Sequence, residues 1–403
     1  MSRFIQAIKT SVRRVAQSCL EVWLSSTGPV DPSREPVRKI LVFAYHGLGN
    51  FILYTPALKL LRERFPDARI DLQVGNNTGC EEVLAGSIFF DNVYNLPHSA
   101  GMLAWFKRAA EVRQTSYDLT INEFHSHSWR LALLVAASGA RLRLGHVTSP
   151  GWGPQFSHYS FVFNIPVKMR EDEHEIERYL DLMTPLGIAR IDHRTARTFM
   201  HLRPEDREFT QRFLKESGAM GARLLIGFQP GTSATMRWKQ WPVDRYRTVI
   251  ERLIDSREDL RVMLFGSASE AQMISEMSRG LGQRVLVAAG QTTVKEAAAL
   301  IEACDLLVCN DSGLMHVAGA VGTPVLAIYG PTDFNRTSPL AAGNTIIRHE
   351  LPCSPCFKLE GDDQVRACPH HDCLMTITVD EVFNSLVGRL GSSDRAKAEG
   401  RIS

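Results

Sequence analysis

Apolar and polar positions alternate with two different periods along most of this chain. From residue 38, short apolar runs of strand type at 38–45, 69–74, 91–96 and 117–122 are separated by stretches of helical spacing at 50–65, 78–86, 100–115 and 126–138. Residues 139–170 break the pattern. They are rich in Gly, Pro, His and aromatics, with weaker strand candidates at 141–145 and 158–164. Helical spacing returns at 172–186 and 204–217. A second alternation then runs strand 223–228, helix 243–256, strand 260–265, helix 269–280, strand 284–288, helix 293–302, strand 305–309, helix 311–321 and strand 324–328. Strands that alternate with helices form parallel sheets, because each parallel return needs a crossover. Two successive series therefore predict an α/β protein of two doubly wound parallel-sheet domains, with a ligand cleft at the carboxyl ends of their strands.

The ends of the chain read differently. In residues 1–24, Phe4, Ile5, Ile8, Val12, Val15, Cys19, Val22 and Trp23 recur at roughly helical spacing, and Arg3, Lys9, Arg13 and Arg14 face one acid, Glu21. A basic amphipathic helix with an aromatic end suits the headgroup layer of an anionic membrane; packing on the protein body is the alternative. Residues 25–37, with Ser, Thr, Gly, Pro and Asp, read as a linker. The expected division is 1–36 for the helix and linker, 37–190 and 191–377 for two Rossmann-like domains, 378–390 for a last helix and 391–403 for a frayed tail.

Composition narrows the classes. A chain of 403 residues is long for one core. Its 44% hydrophobic and 22% charged residues are those of a globular protein, and a net charge of +2 argues against a dedicated nucleic-acid binder. No apolar run reaches bilayer length, and residues 1–24 lack the uninterrupted apolar core of a secretory signal. The expectation is a cytoplasmic protein with reduced thiols.

Chemistry concentrates in a few segments. Asn310-Asp311-Ser312-Gly313-Leu314-Met315-His316, with Gly322-Thr323-Pro324 and Gly330-Pro331-Thr332-Asp333 behind it, reads as strand, tight turn, helix, strand and turn. Asp311 or Ser312 is placed to cap the helix, Gly313 removes bulk at its first turn, and His316 follows one turn in. Free N–H groups at such a terminus suit a phosphate; an ordinary capped helix is the plainer reading. Gly231, Thr232 and Ser233 offer close approach and donors, and Arg237 and Lys239 offer charge, the mixture a diphosphate needs; a solvated loop is the alternative. Glu270 suits a ribose hydroxyl or a helix N-terminus. The first βα turn, His46-Gly47-Leu48-Gly49-Asn50, lacks the third glycine of a dinucleotide fingerprint. Pro56 should kink the next helix or start it late. Glu123, His125 and His127 project together if the strand before them continues, which makes Glu123 or a histidine a candidate base. Cys353-x2-Cys356-x11-Cys368-x4-Cys373 suggests a structural Zn²⁺ site, with disulfides as the alternative if the chain is exported and unligated thiols as the next.

Together these segments resemble glycosyltransferase family 9, the bacterial heptosyltransferases of lipopolysaccharide core assembly and their relatives, over roughly residues 38–390. The resemblance rests on Gly49-x5-Thr55-Pro56-Ala57-Leu58, Leu61-Arg62, Phe65-Pro66, Tyr117-Asp118-Leu119, Gly139-Ala140-Arg141, Arg143-x-Gly145, His174-x4-Tyr179-Leu180, Pro230-Gly231, Lys239-x-Trp241-Pro242 and the segment from Asn310 to Asp333. It implies a GT-B fold, two Rossmann-like domains facing each other across a cleft. It also implies inverting transfer of a sugar, usually heptose from ADP-heptose, onto a lipopolysaccharide-core or other cell-envelope saccharide. The lipid-linked acceptor would lie on the first domain, by Gly47, Gly49 and Asn50, and the nucleotide sugar on the second. Thr232, Ser233 and Lys239 would contact the diphosphate, with Asp311, Ser312, Gly313 and His316 closing over it. No cofactor is required for that chemistry, and the enzyme would sit at the inner face of the cytoplasmic membrane.

One departure matters. Family members usually carry an aspartate at the position of Asn50, thought to be the base, and often another at Asn122. An amide cannot accept that proton at neutral pH. Glu123 and His46 are the substitute candidates. A nucleotide-sugar-binding protein without transferase activity and a GT-B nucleotide-sugar epimerase are the alternative functions.

Overall fold

The computed structural model describes residues 32, 35–75, 79–123, 128–147, 159–170, 173–340, 343–357 and 368–399, the last without the side chains of 392–399. The chain divides into two compact units, Met1–Gly47 with Tyr54–Thr195 and Leu48–Leu53 with Ala196–Ser403. The amphipathic helix expected at residues 1–24 lies outside the described residues.

In the first unit, six strands form an all-parallel sheet: β1 (Lys39–Ala44), β2 (Arg69–Val74), β3 (Asn92–Asn95), β4 (Leu119–Asn122), β5 (Leu142–Val147) and β6 (Ile165–Lys168), in the order β3-β2-β1-β4-β5-β6. The central strand β1 is KILVFA, buried at every position after the first, as a parallel strand covered on both faces must be. Its Ile40 is in register with Ile70 on one side and Leu119 on the other. One face packs Leu41 and Phe43 against Trp105 and Val112 of α2 (Met102–Thr115) and Leu131, Leu134 and Val135 of α3 (Trp129–Ala137). α1 (Leu48–Arg64) begins directly after the first turn and runs through Pro56. The expected late start does not occur, because Phe51 to Tyr54 and Ala57, Leu58 and Leu61 are all buried and their packing outweighs one lost backbone hydrogen bond.

The strand expected at 158–164 is also corrected. Ser160–Val162 is a 3₁₀ turn, and β6 follows it at Ile165. Asn164 ends the turn by accepting the Arg143 N–H at 2.8 Å and donating to the Arg141 carbonyl at 2.7 Å. Gly145 leaves space for the Phe163 ring; a Cβ there would fall 2.4 Å from it. α4 (Glu175–Met183) follows.

The second unit opens with α5 (Pro204–Glu216). Its all-parallel sheet comprises β7 (Leu224–Gln229), β8 (Leu260–Leu264), β9 (Val285–Val287), β10 (Leu306–Asn310), β11 (Val325–Ile328) and β12 (Thr345–Ile347), in the order β12-β11-β10-β7-β8-β9. Helices α6 (Val243–Ser256), α7 (Ala271–Ser278), α8 (Val294–Glu302) and α9 (Gly313–Val321) connect the strands. The last long helix, α10 (Val379–Glu399), adds Val382, Leu386 and Leu390 to this core. Both sheets have the same winding, two doubly wound halves of a two-domain α/β fold. In each, chain order reverses beside the first strand, between β1 and β4 and between β7 and β10. Connections leave these neighbours on opposite faces, so a crevice opens at their carboxyl ends. Among the described residues no helix is long and apolar enough to cross a membrane.

Candidate functional site

In the second unit the residues after β7 and β10 converge. Asn310, the fully buried last residue of β10, ties the two ends together. Its Nδ2 donates to the Pro230 and Gly231 carbonyls at 3.0 and 3.3 Å, while its Oδ1 accepts from the Trp241 N–H at 2.9 Å and the Tyr246 hydroxyl at 3.0 Å. Every polar atom of that amide is therefore used, which fixes the 229–231 turn and residue 241 to one strand end. Ser312 is the N-cap of α9, but its hydroxyl donates to Gln229 Oε1 instead of capping the helix. The capping expected of Asp311 or Ser312 is thus corrected: Asp311 turns to Lys239. Among the described residues no side chain caps the amide end of α9, so its first N–H groups keep their capacity for an anion.

Lys239 Nζ donates to Asp311 Oδ2 at 2.7 Å, with the two side chains 18% and 5% exposed. Burial alone would push the Asp311 carboxyl up. The Lys239 charge and hydrogen bond, with His316 nearby, more than offset this and hold it below the usual carboxylate range. The lysine is walled by aromatics: its ammonium lies 5.5 Å from the Trp238 ring centre and 5.8 Å from that of Phe357, and the two rings are 4.9 Å apart. Phe357 reaches this place because the 354–357 segment is bonded to the turn after β11. Cys356 and Phe357 donate to the Pro331 carbonyl at 3.0 and 2.9 Å, and the Ser354 hydroxyl donates to Gly330 O at 2.8 Å.

The other expected residues of this unit sit around the pair. His316 is buried on α9. Residues 48–53 cluster with this unit, and a Cβ on Gly49 would fall 2.6 Å from His316 Cδ2, so glycine is needed for that approach. Asn50 follows, half-buried. Gly231 has the same role toward Glu270, whose Oε1 would lie 2.0 Å from a Cβ there. Glu270 Oε2 accepts from the N–H and hydroxyl of Ser267 at 2.7 and 2.6 Å, while Oε1 is buried with no hydrogen-bond partner among the described residues. Thr232 corrects an expectation: its buried hydroxyl donates to the Met236 carbonyl at 3.1 Å and is not held out as a donor. Ser233 is exposed and near Thr235.

In the first unit the equivalent switch point carries Tyr45, His46 and Gly47 after β1 and Glu123 after β4. Gly47 is exposed. Glu123 is 2% exposed and accepts the Tyr45 N–H at 2.9 Å. Burial pushes its carboxyl up to about 8, against the backbone N–H groups of Tyr45 and His46. His46 Nδ1 lies 3.1 Å from the Tyr179 hydroxyl and 3.8 Å from Glu123 Oε1. Asn122 is buried in register with Phe43. His125 and His127 lie outside the described residues.

The four cysteines influence one another. Burial, then the charges of Cys356, Cys353 and Cys368, push the Cys373 thiol up to about 11. Their sulfurs are nevertheless not gathered within the spacing of one ion. Among the described residues only Glu177, Asp192 and His193 bring ligand atoms within 4.8 Å of one another. That trio belongs to an ion-pair network: His193 Nδ1 is 2.7 Å from Glu177, and Arg190 bridges Glu173, Glu177 and Asp181. Sequence reasoning missed Phe357 and Gln229. Nothing local placed a residue as far along the chain as Phe357 against Lys239.

The family model described as glycosyltransferase family 9 (heptosyltransferase) matches residues 105–364. Lipooligosaccharide heptosyltransferase 2 of Haemophilus influenzae is 28% identical over 356 residues, 86% of this chain and 98% of that protein. Lipopolysaccharide heptosyltransferase 2 of Escherichia coli is 28% identical over 357 residues, 86% and 97% of the two chains. Among solved structures, Escherichia coli ADP-heptose lipopolysaccharide heptosyltransferase II superposes with a TM-score of 0.68 at 25% identity, covering 88% of this chain and 99% of its own. A family 9 glycosyltransferase of Veillonella parvula shares the fold, with a TM-score of 0.71 at 22% identity over 90% and 99%.

Proposed function

The chain belongs to glycosyltransferase family 9, the heptosyltransferase family, and from that premise we propose that it moves heptose from ADP-heptose onto a lipopolysaccharide-core saccharide by inverting displacement. The observation that carries the reading is the ammonium of Lys239, held 2.7 Å from Asp311 at the mouth of α9, on the switch point of the second sheet. A diphosphate placed there would meet one cation and free amide N–H groups, preorganised before the reaction starts. As the bond between anomeric carbon and diphosphate lengthens, negative charge grows on the leaving group and positive charge on the sugar. Lys239, His316 and the amides of Ser312 and Gly313 would stabilise the leaving charge. Asp311 holds the ammonium in place, while Ser233 stands at the exposed lip and Thr232 shapes the turn. The buried Oε1 of Glu270 suits a ribose hydroxyl. Asn50 would orient the acceptor on the first-turn side, with Gly47 and Gly49.

Because the sulfurs of Cys353, Cys356, Cys368 and Cys373 are not gathered within the spacing of one ion, no Zn²⁺ is assigned to them. Residues 1–24 would hold the enzyme against an anionic membrane at its cytoplasmic face. The deciding experiment is a thermal-shift screen of ADP-, UDP-, GDP- and CDP-sugars, followed by transfer of radiolabelled donor to core-saccharide acceptors. A ligand at a hundred times its dissociation constant adds roughly 2.7 kcal/mol. Stabilisation by ADP-heptose with label transfer is expected. Binding without transfer, or conversion of donor with no acceptor present, would overturn the reading in favour of a binding protein or an epimerase.

A further inference from the structure

Asn50 cannot take a proton, so inverting transfer by this chain needs another base. Candidate groups lie at the switch point of the first sheet, on the acceptor side under the transferase reading above, on which this inference rests. Among the described residues, Glu123 and His46 meet there. Glu123 directly follows β4, is 2% exposed, and its Oε2 is buried with no hydrogen-bond partner among the described residues. His46 directly follows Tyr45 in the first βα turn, four residues before Asn50, with its side chain 11% exposed. Its Nδ1 is 3.8 Å from Glu123 Oε1 and 3.1 Å from the Tyr179 hydroxyl.

We propose that His46 and Glu123 form a dyad that removes the proton from the acceptor hydroxyl, the duty Asn50 cannot perform. In the step, the acceptor oxygen forms its bond to the anomeric carbon while the bond from that carbon to the diphosphate oxygen breaks and its electron pair leaves with the diphosphate. The hydroxyl proton passes to the His46 imidazole, and the buried Glu123 carboxyl holds the resulting cation once it is ionised, so transfer should rise as pH approaches about 8. The surrounding groups leave this charge to the dyad. On α4, Arg178 is paired with Glu175 at 3.0 Å and Tyr179 is neutral, its hydroxyl pushed well up by burial. Tyr54 on α1 is likewise pushed well up by burial. His146 on β5 is held down to about 4 by burial, its ring nitrogens lying 2.5 Å from the Glu123 carbonyl and 3.0 Å from that of Arg178. The Cys80 thiol donates to the His46 carbonyl at 3.6 Å. Glu123 also holds the first turn through the Tyr45 N–H, so a purely positional role must be separated from proton transfer.

The test uses the full chain with His46→Gln and Glu123→Gln, each alone and combined with Asn50→Asp. Each single variant should lose at least thirtyfold in kcat while binding ADP within twofold of the natural protein. Asn50→Asp should restore at least tenfold, because it puts a carboxylate where relatives carry one. Loss without rescue means a structural role, and His46→Gln activity within threefold of normal means no role; either overturns the dyad. A second measurement needs no turnover. Imidazole NMR should show the His46 resonances inflecting near pH 8 as Glu123 ionises, an inflection lost in Glu123→Gln, and its absence from the natural protein severs the pair. Failure of ADP to bind the natural protein would instead strike the transferase reading, leaving the NMR result to judge the dyad.

Discussion

Replacing Lys239 probes the donor site at its most constrained point. The substitution removes an ammonium 2.7 Å from a carboxylate that is 5% exposed. Burial is then the largest remaining influence on Asp311, so its carboxyl must rise. Leaving one partner of a fully buried pair costs roughly 3–5 kcal/mol. Lys239 keeps 18% exposure, so about 2–3 kcal/mol of stability is the expected loss. Binding is a separate quantity. Two unit charges about 4 Å apart interact by about 4 kcal/mol at an effective dielectric constant of about 20. Desolvation and competition with Asp311 reduce this to the roughly 1.5–3 kcal/mol of a charge-assisted contact, or about ten- to a hundredfold in affinity. The assay is calorimetry with ADP on Lys239→Met, Asp311→Asn and the double variant, alongside denaturant unfolding. The double variant should recover most of the lost stability, because no uncompensated charge remains, yet bind ADP as weakly as Lys239→Met. Folded Lys239→Met with ADP affinity within twofold of normal would refute the placement of the diphosphate at this ammonium.

Glu270→Gln should weaken ADP binding at least fivefold and leave pyrophosphate binding unchanged, since the orphan Oε1 is assigned to the nucleoside; equal loss for both ligands in calorimetry would remove that assignment. Between pH 6.5 and 8 the folded protein keeps a proton on Glu123 that the unfolded chain has released, so the unfolded state binds fewer protons and stability must fall as pH rises. Glu123→Gln should flatten that slope in denaturant titrations, and an unchanged slope would mean the carboxyl is already ionised. Deleting residues 1–30 should release the protein from anionic liposomes; equal sedimentation of both forms would exclude a membrane role for that segment. Elemental analysis of protein purified without chelator should find no stoichiometric zinc, and about one zinc per chain, lost in Cys353→Ser, would restore a metal site to the four cysteines.

Local pattern determined the architecture. Parallel strands buried on both faces are continuous apolar runs, and the helices between them carry a different period, so the alternation is written into any short window. Where local pattern was weak, it misled. The apolar run at 158–164 became a turn because Asn164 and Gly145, each useful only through a distant partner, favoured one. β12, with three residues, was too short to show a period. At the site, residue types near each strand end were readable, because glycines, hydroxyls and charges at a carboxyl edge need no long-range information. Their partners were not. Lys239 meets Asp311 across 72 residues, and Tyr45 meets Glu123 across 78. Phe357 stands against Trp238 only because Pro331 holds its backbone. A sequence specifies which groups sit at a strand end, since that depends on neighbours along the chain. Which of them meet, and which carboxyl loses its water, depends on how strands far apart in the chain are ordered in a sheet, and only the folded packing decides that.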